Sequence, residues 1–195
     1  MTSLNAPGSP DVFADLVAAY SEPHRHYHTA AHIQDCLAQL DEAASLTETP
    51  EEIELALWFH DAIYKPTSSK NELESAEWAR AFLEAVGATE DRCARVYGHV
   101  MATKHDAQPP DKDAMFVVDI DLSILGRGPD EYDRFEENVR KEYKWVPWPI
   151  YRRKRSEILE SFLDKPKIYS TEHFRSGYEE QARQNLRSAI ERLRK

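Results

Sequence analysis

The chain has 195 residues, of which 41% are hydrophobic and 31% are charged, a composition ordinary for a globular protein. This length accommodates one large domain or two small ones with a sizeable core, so folding requires no disulfide scaffold. The net charge of −10 and the pI of about 5.3 argue against a protein that binds nucleic-acid polymers, because such proteins present a basic surface.

Several features of the sequence predict a cytoplasmic protein. The N-terminal stretch MTSLNAPGSP has neither a basic start nor an apolar run, so we predict no secretory signal. No segment approaches the roughly 18 consecutive apolar residues of a membrane span, which predicts no association with a membrane. The two cysteines, Cys36 and Cys93, lie in predicted helices and are expected to be reduced thiols in the core.

Apolar residues recur with a helical period along most of the chain, and we predict an all-α fold, a single irregular helical bundle. Residues 1–9 are expected to be a flexible N-terminus, and residues 10–195 a single helical domain. The predicted helices cover about residues 10–20, 29–46, 50–64, 71–86, 89–104, 115–125, 130–145, 150–165 and 177–194.

Local signals mark several of these helix boundaries. The sequence from Thr49 to Glu52 combines a capping-box pattern with Pro50 at the first helical position. Gly87 is expected to end the fourth helix, and Thr89 to cap the fifth. The segment MFVVDIDLSIL resembles a strand when taken alone, but no second strand is available to pair with it, so we interpret it as a buried helix.

The third predicted helix contains an unusual pair of polar residues. The stretch from Ile53 to Tyr64, IELALWFHDAIY, is nearly all apolar and should lie in the core, yet it carries His60 and Asp61. Burial of such a pair is costly unless a metal ion or a hydrogen-bonded network compensates it. A metal role and a hydrogen-bonded core pair, or a helix-end cap, both remain open at this point.

Two further groups of residues fit a metal site. His28 and His32 are four residues apart, which places them on one helix face, although surface histidines show the same spacing. Asp119 and Asp121 lie about 200° apart in a helix, so only one of them is expected to face a shared ion. Two histidines and two carboxylates would form a nitrogen–oxygen site suited to Mn, Fe, Co, Ni or Zn with open positions for water.

The segments RHYHTAAHI, FHDAIY, KNELESA, ATKH, DIDLSILG and VRKEY together resemble a protein family. Their order is similar to that of the HD-domain superfamily of metal-dependent phosphohydrolases. Within it they are most similar to a bacterial subfamily of predicted metal-dependent phosphohydrolases. The resemblance extends from about Arg25 to the last helix and is specific for the fold and the metal site, but not for the substrate.

The resemblance implies a set of metal ligands and a reaction. His32, His60, Asp61 and a late aspartate would hold one or two divalent ions per chain (Mn, Fe, Co, Ni, Zn or Mg). We assign the late aspartate to Asp121, because Asp-Leu-Ser resembles the segment around that ligand in cyclic nucleotide phosphodiesterases; Asp119 is the alternative. The expected reaction is cleavage of a phosphoester or phosphoanhydride of a small metabolite, with a nucleotide as one candidate, by attack of metal-bound water.

Three residues are candidates for catalytic roles. His28 occupies the position of a histidine that donates a proton to the leaving oxygen in those phosphodiesterases, although Thr29 replaces their Asn. Glu72 begins a helix, where it either orients a ligand or water or simply interacts favourably with the helix dipole. His105 matches the family's ATKH pattern and, with His99, is a candidate ligand of a second metal.

Phosphate also requires cationic partners, for which the candidates are Arg25, Lys104, Arg140 and Arg155. Arg155 resembles a family position, but it lies in a charge run that is typical of a solvated helical turn. Trp145 and Trp148 can stack on a nucleobase or pack the junction between two helices, and packing is the commoner use of aromatic residues.

Other functions remain open from the sequence. A di-iron oxygenase would require two irons, with His99 and His105 or equivalents as ligands. A non-catalytic metal or ligand sensor would have a closed coordination shell, and a helical interaction module would bind no metal. The last helix can pack on its own domain or on a partner, so the sequence leaves a homodimer open.

Overall fold

The structure is a computed structural model that describes residues 11–195; the predicted flexible N-terminus and the predicted helix start at Pro10 lie outside them. Within the described residues all regular structure is helical, which confirms the all-α prediction. The helices are α1 (Val12–Ala19), α2 (Ala30–Ala43), α3 (Pro50–Phe59), α4 (Asn71–Ala85), α5 (Glu90–Ala102), α6 (Lys112–Asp121), α7 (Pro129–Glu142), α8 (Trp148–Leu163) and α9 (Glu172–Arg194). Short 3-10 segments follow α2 (Ala44–Leu46) and α6 (Leu122–Gly126).

The described chain groups into two compact units, one ending at Val118 and the other running from Asp119 to Lys195. The boundary falls inside α6, which is one continuous helix. In the first unit, α3 packs against α2, α4 and α5. In the second unit, α9 packs against α8 and against the 3-10 segment Leu122–Gly126. The single domain predicted for residues 10–195 stays a prediction.

Helix α3 forms the centre of the first unit because it is buried on every side except the narrow face that carries Glu51 and Glu54. Ile53, Ala56, Leu57 and Phe59 are all buried, which accounts for the nearly continuous apolar run in the sequence. Glu52 is the exception: its buried carboxylate accepts two hydrogen bonds of 2.8 Å from the guanidinium of Arg95 on α5. This paired geometry compensates the burial of the carboxylate and joins the two helices.

A carboxylate on α6 caps the start of α3. Thr49 precedes α3, but its side chain does not accept the hydrogen bond that a capping box requires, so that part of the prediction was wrong. Its hydroxyl instead donates to Asp113 at 2.6 Å, and the backbone N–H groups of Glu48 and Thr49 donate to the same carboxylate at 2.8 and 2.7 Å. Burial would raise the pKa of Asp113, but these bonds to its charged form outweigh burial, and its pKa lies below its usual value.

A carboxylate also caps the start of α9 in the second unit. Asp119 accepts hydrogen bonds from the backbone N–H groups of Ser170 and Thr171 and from the Thr171 hydroxyl, at 2.7 to 2.9 Å. Helix α9 therefore begins at Glu172 rather than near Gly177 as predicted. The sequence signal was weak because the capping carboxylate lies about 50 residues before the helix that it caps.

Other predicted boundaries are confirmed. Gly87 follows α4 with φ of 77°, a left-handed conformation that glycine adopts without a steric cost. The Thr89 side chain accepts from the N–H of Arg92 at the start of α5. Both cysteines are free and buried. Among the described helices, none has the length and apolar character that crossing a membrane demands.

Replacing Asp113 with Ala should lower the free energy of unfolding by about 1–3 kcal/mol, because three donors at the start of α3 lose their acceptor. Urea titration measures the change, with the exposed Glu54→Ala substitution in the same helix as a control. Because the pKa of Asp113 is lowered in the fold, its contribution is present above about pH 4 and declines as the pH falls through the folded pKa. An equal difference between wild type and variant at pH 7 and pH 2.5 would contradict this account.

Candidate metal centre

His60 lies at the C-terminal end of α3 with its ring fixed by the helix itself. Its Nδ1 is 2.8 Å from the carbonyl oxygen of Leu57. Because a carbonyl only accepts, Nδ1 must carry the proton, and in the neutral ring the lone pair is then on Nε2. A hydrogen bond that holds one ring nitrogen and leaves the other as a ligand is the usual arrangement around metal-binding histidines.

The Nε2 atom of His60 faces a second buried histidine and a carboxylate. It is 3.2 Å from Nε2 of His32 on α2 and 3.1 Å from Oδ2 of Asp61. The same carboxylate oxygen is 3.8 Å from Nε2 of His32. His32 and His60 are 5% and 1% exposed, so water has little access to either ring.

The separations of these three atoms fit one metal ion. Three points 3.1, 3.2 and 3.8 Å apart lie on a circle with a radius of about 2.0 Å, close to the distances of about 2.0–2.2 Å between a divalent metal and nitrogen or oxygen ligands. A single ion near the centre of this triangle would therefore reach all three atoms. Hydrogen bonds alone satisfy the group less well, since the one proton between two imidazole nitrogens serves only that pair.

Asp121, the assigned late aspartate, is the last residue of α6 and belongs to the second unit, so its role as a ligand stays a prediction. In the first unit, the buried His32 and His60 can hold a metal ion. Asp119, the alternative late aspartate, instead accepts the hydrogen bonds at the start of α9.

Arg25 fixes the backbone that carries the ligands. Its buried guanidinium donates to the carbonyl oxygens of Asp61 at 2.6 Å, Ala62 at 3.0 Å and His28 at 3.3 Å, and to the carboxylate of Glu22 at 3.0 Å. These bonds join the loop before α2 to the loop after α3. Arg25 was predicted to bind phosphate, which stays a prediction, and the structure places four of its hydrogen bonds inside the protein.

The predicted catalytic residues of the first unit lie on different elements. His28 is half-buried, and its ring stacks on Tyr64 with centroids 4.2 Å apart and an angle of 27°. Its ring centroid is 6.3 Å from that of His32. Glu72 is in the first turn of α4, and His105 follows α5 with φ of 59°. Of these three residues, His28 is the one whose ring contacts a metal-ligand candidate, His32.

The predicted phosphate-binding cations other than Arg25 also have partners within the protein. Lys104 forms an ion pair of 2.5 Å with Asp106. Arg155 is half-buried and donates two hydrogen bonds to Glu136, at 2.7 and 3.1 Å. Arg140 donates to the carbonyl oxygens of Tyr143 and Val146. Their predicted contact with phosphate remains a prediction.

His99 lies apart from the group described above. It is 1% exposed, and its Nε2 is 3.4 Å from a carboxylate oxygen of Asp111. Within residues 11–195, His99 belongs to no set of three potential ligands that lie within 4.8 Å of one another.

Comparisons of the chain with protein-family models, with curated proteins and with solved structures found no match.

The purified protein should bind about one divalent ion per chain. His60→Ala should abolish that binding because it removes Nε2, the atom that lies 3.1 Å from Asp61 and 3.2 Å from His32. Elemental mass spectrometry after equilibration with Mn²⁺, Co²⁺ or Zn²⁺ measures the stoichiometry. His173→Ala is a matched control, since it removes an imidazole from α9 that is not in the group. Equal metal content in both variants would show that ions bind elsewhere.

Arg25→Lys should weaken metal binding by about 10- to 100-fold without removing any ligand, because a single ammonium group cannot replace the forked contacts to three carbonyl oxygens. Glu22→Gln is the control, since it alters the one side-chain partner of Arg25 and leaves the carbonyl partners in place. Competition with a fluorescent chelator measures the affinity of each variant. Arg25 would be excluded as a positioning residue if its variant bound metal as tightly as the control did.

Proposed function

We propose that the protein is a metal-dependent phosphohydrolase that cleaves a phosphoester or phosphoanhydride of a small metabolite. The observation that supports this proposal most directly is the convergence of the His32, His60 and Asp61 ligand atoms at distances suited to one ion. The similarity of the motifs to HD-domain phosphohydrolases, described above, supports the same reaction. A nucleotide is one candidate substrate.

When bound, a divalent ion would stabilise charge on the phosphoryl oxygens and lower the pKa of a coordinated water. Histidine and carboxylate ligands leave positions open in the coordination shell, which distinguishes such a site from a closed structural zinc site. His60 would contribute Nε2 with its proton held on Nδ1 by Leu57, and Asp61 would partly neutralise the charge of the ion.

His28 is the residue that we propose to donate a proton to the leaving oxygen. Imidazole is suited to this task because its protonation changes near neutral pH. The half-buried ring is positioned by stacking on Tyr64 and by its edge-on contact with His32. A ring nitrogen of His28 would then lie near a substrate oxygen that is bound beside the metal ligands.

Lys104 is the cation of the first unit best suited to contact a phosphoryl group. Its hydrogen bond and charge interaction with Asp106 raise its pKa, and Glu72 adds to this effect, so the ammonium stays protonated at neutral pH. The side chain is 43% exposed and can rotate away from Asp106 when an anion binds. Arg25, in contrast, already donates to three carbonyl oxygens and a carboxylate.

The alternative of a di-iron oxygenase requires a second group of ligands. His99 was one of its proposed ligands, and within the described chain its acidic partner is Asp111 rather than a member of the metal group. No specific observation favours the oxygenase or a non-catalytic metal protein over hydrolysis. Metal stoichiometry and turnover distinguish the three.

Metal-loaded wild-type protein should release phosphate from at least one member of a panel of nucleotides, sugar phosphates and cyclic nucleotides. Each substrate is tested with Mn²⁺, Co²⁺, Mg²⁺ or EDTA. His60→Ala and EDTA should each lower the rate by at least about 100-fold, because both remove the ion that stabilises phosphoryl charge. His173→Ala should retain the wild-type rate.

A second comparison tests the role of His28. His28→Gln should lower kcat by about 100-fold while metal content stays unchanged, as expected for a proton donor that is not a ligand. Absence of turnover by metal-loaded wild type on every substrate would contradict the hydrolase. Two irons per chain together with oxygen consumption would assign the protein to the oxygenases instead.

A further inference from the structure

The second unit contains a cleft that the proposed hydrolase does not use. Its volume is about 440 Å³, within the range of about 300–1,000 Å³ typical of small-molecule sites. Residues of α7, α8 and α9 line it. The walls combine aromatic rings from α8 with charged side chains from α7.

Trp148 and Tyr151 provide the aromatic wall of the cleft. Their rings are stacked, with centroids 5.9 Å apart and an angle of 22°. Trp148 is 50% exposed, so the free part of its indole offers a flat apolar surface to a ligand ring. Tyr151 is 6% exposed, and its buried hydroxyl makes no hydrogen bond within the described part of the chain. A ligand that places an acceptor beside this hydroxyl would compensate for the missing bond.

Two cations of the cleft, Arg140 and Lys141, form no ion pair within the described residues. The guanidinium of Arg140 lies 4.6 Å from the ring centre of Tyr151 and 5.6 Å from that of Trp148, and it donates to two backbone carbonyl oxygens. Lys141 donates to the side-chain oxygen of Asn138. Within residues 11–195, neither cation forms an ion pair with an acidic side chain.

The other charges that line the cleft largely cancel. Glu136 is paired with Arg155, and Arg192 is paired with Asp133 at 2.5 Å. Glu137 is the one lining carboxylate that forms no ion pair in the described chain. Two unpaired cations and one unpaired carboxylate leave a net positive charge in the cleft.

This positive charge stands out in an acidic protein. Residues 140–155 contain seven of the 25 basic residues of the chain and one of its 35 acidic residues. The stretch also contains Trp145 and Trp148, two of the four tryptophans. Aromatic surfaces beside unpaired cations bind ligands that combine a planar ring with negative charge, because the ring stacks while the anion meets the cation.

We propose that this cleft is an accessory binding site for a small planar anion of the nucleoside phosphate class. The ring of the ligand stacks on the exposed face of Trp148, and its phosphate lies against Arg140 and Lys141. The site belongs to the second unit alone, so it functions independently of the metal group and of the proposed hydrolase activity.

Binding is measured on the full chain with ¹⁵N-labelled tryptophan, in EDTA, with ADP as the probe. Each of the four indole N–H groups gives one signal, and Trp148→Phe identifies the signal of Trp148. Saturable displacement of that signal by ADP is the expected result. Adenosine alone and pyrophosphate alone should each bind at least tenfold more weakly than ADP, because each provides only one of the two interactions.

Three substitutions test the assignment: two should weaken ADP binding and one should strengthen it. Lys141→Glu should weaken ADP binding by about tenfold, whereas Glu137→Gln should strengthen it severalfold because it removes the unpaired carboxylate. Trp148→Ala should weaken binding about tenfold through loss of stacking. Trp145→Ala is the control, because Trp145 is 58% exposed but does not line the cleft.

Three outcomes would overturn the proposal. The first is an unchanged Trp148 signal at ADP concentrations of about 10 mM, and the second is equal affinity for ADP in wild type and Lys141→Glu. The third is broadening of the Trp145 and Trp148 signals by vesicles of anionic phospholipid without any response to ADP, which would assign this surface to a membrane. Because the measurement excludes divalent metal, failure of the hydrolase proposal leaves it unaffected.

Discussion

Convergence of two buried imidazoles and a half-buried carboxylate beside the end of α3 is the constraint on which the first unit depends. The Nε2 atoms of His32 and His60 approach to 3.2 Å in a nearly water-free environment. A proton between the two nitrogens serves one pair of atoms, whereas a divalent ion would serve both nitrogens and the oxygen of Asp61 together. The geometry is therefore suited to a metal ion as well as to a core hydrogen bond.

The elements around these ligands are held by polar contacts rather than by apolar packing alone. Helix α3 is fixed at its start by Asp113 and at its end by Arg25, which binds the backbone of Asp61 and Ala62. Both ends of the helix are thus connected to other parts of the first unit. A helix held at both ends keeps the side chain at its terminus in one position, which a metal site requires.

Helix α6 supplies two carboxylates that act alike but titrate differently. Asp113 and Asp119 each accept two backbone N–H bonds and one threonine hydroxyl bond at the start of another helix. The pKa of Asp113 is lowered, whereas burial dominates for Asp119 and raises its pKa. Equal hydrogen bonding therefore gives opposite shifts when the depth of burial differs.

The sequence was sufficient to predict the helices and the polar pair of His60 and Asp61, because both depend on local patterns. Apolar periodicity identifies each helix, and an all-apolar run around His60 and Asp61 shows that the pair is buried. The capping of α3 and α9 was not predictable in the same way. Thr49 resembles the start of a capping box, but its hydroxyl bonds to Asp113, 64 residues later in the chain. Long-range acceptors of this kind leave no signal near the helix that they cap.

The sequence likewise does not show which arginines are already paired inside the protein, and only the others can readily bind an anion. Composition alone makes every arginine a candidate partner of phosphate, but a buried guanidinium must satisfy its donors inside the protein. Arg25 does so with backbone carbonyl oxygens and Arg155 with Glu136, so their charges already serve internal bonds. Exposed or unpaired cations such as Lys104 and Arg140 differ because an incoming anion need not break a buried ion pair. Arginines that are paired in this way are therefore poorly suited to neutralise an incoming anion.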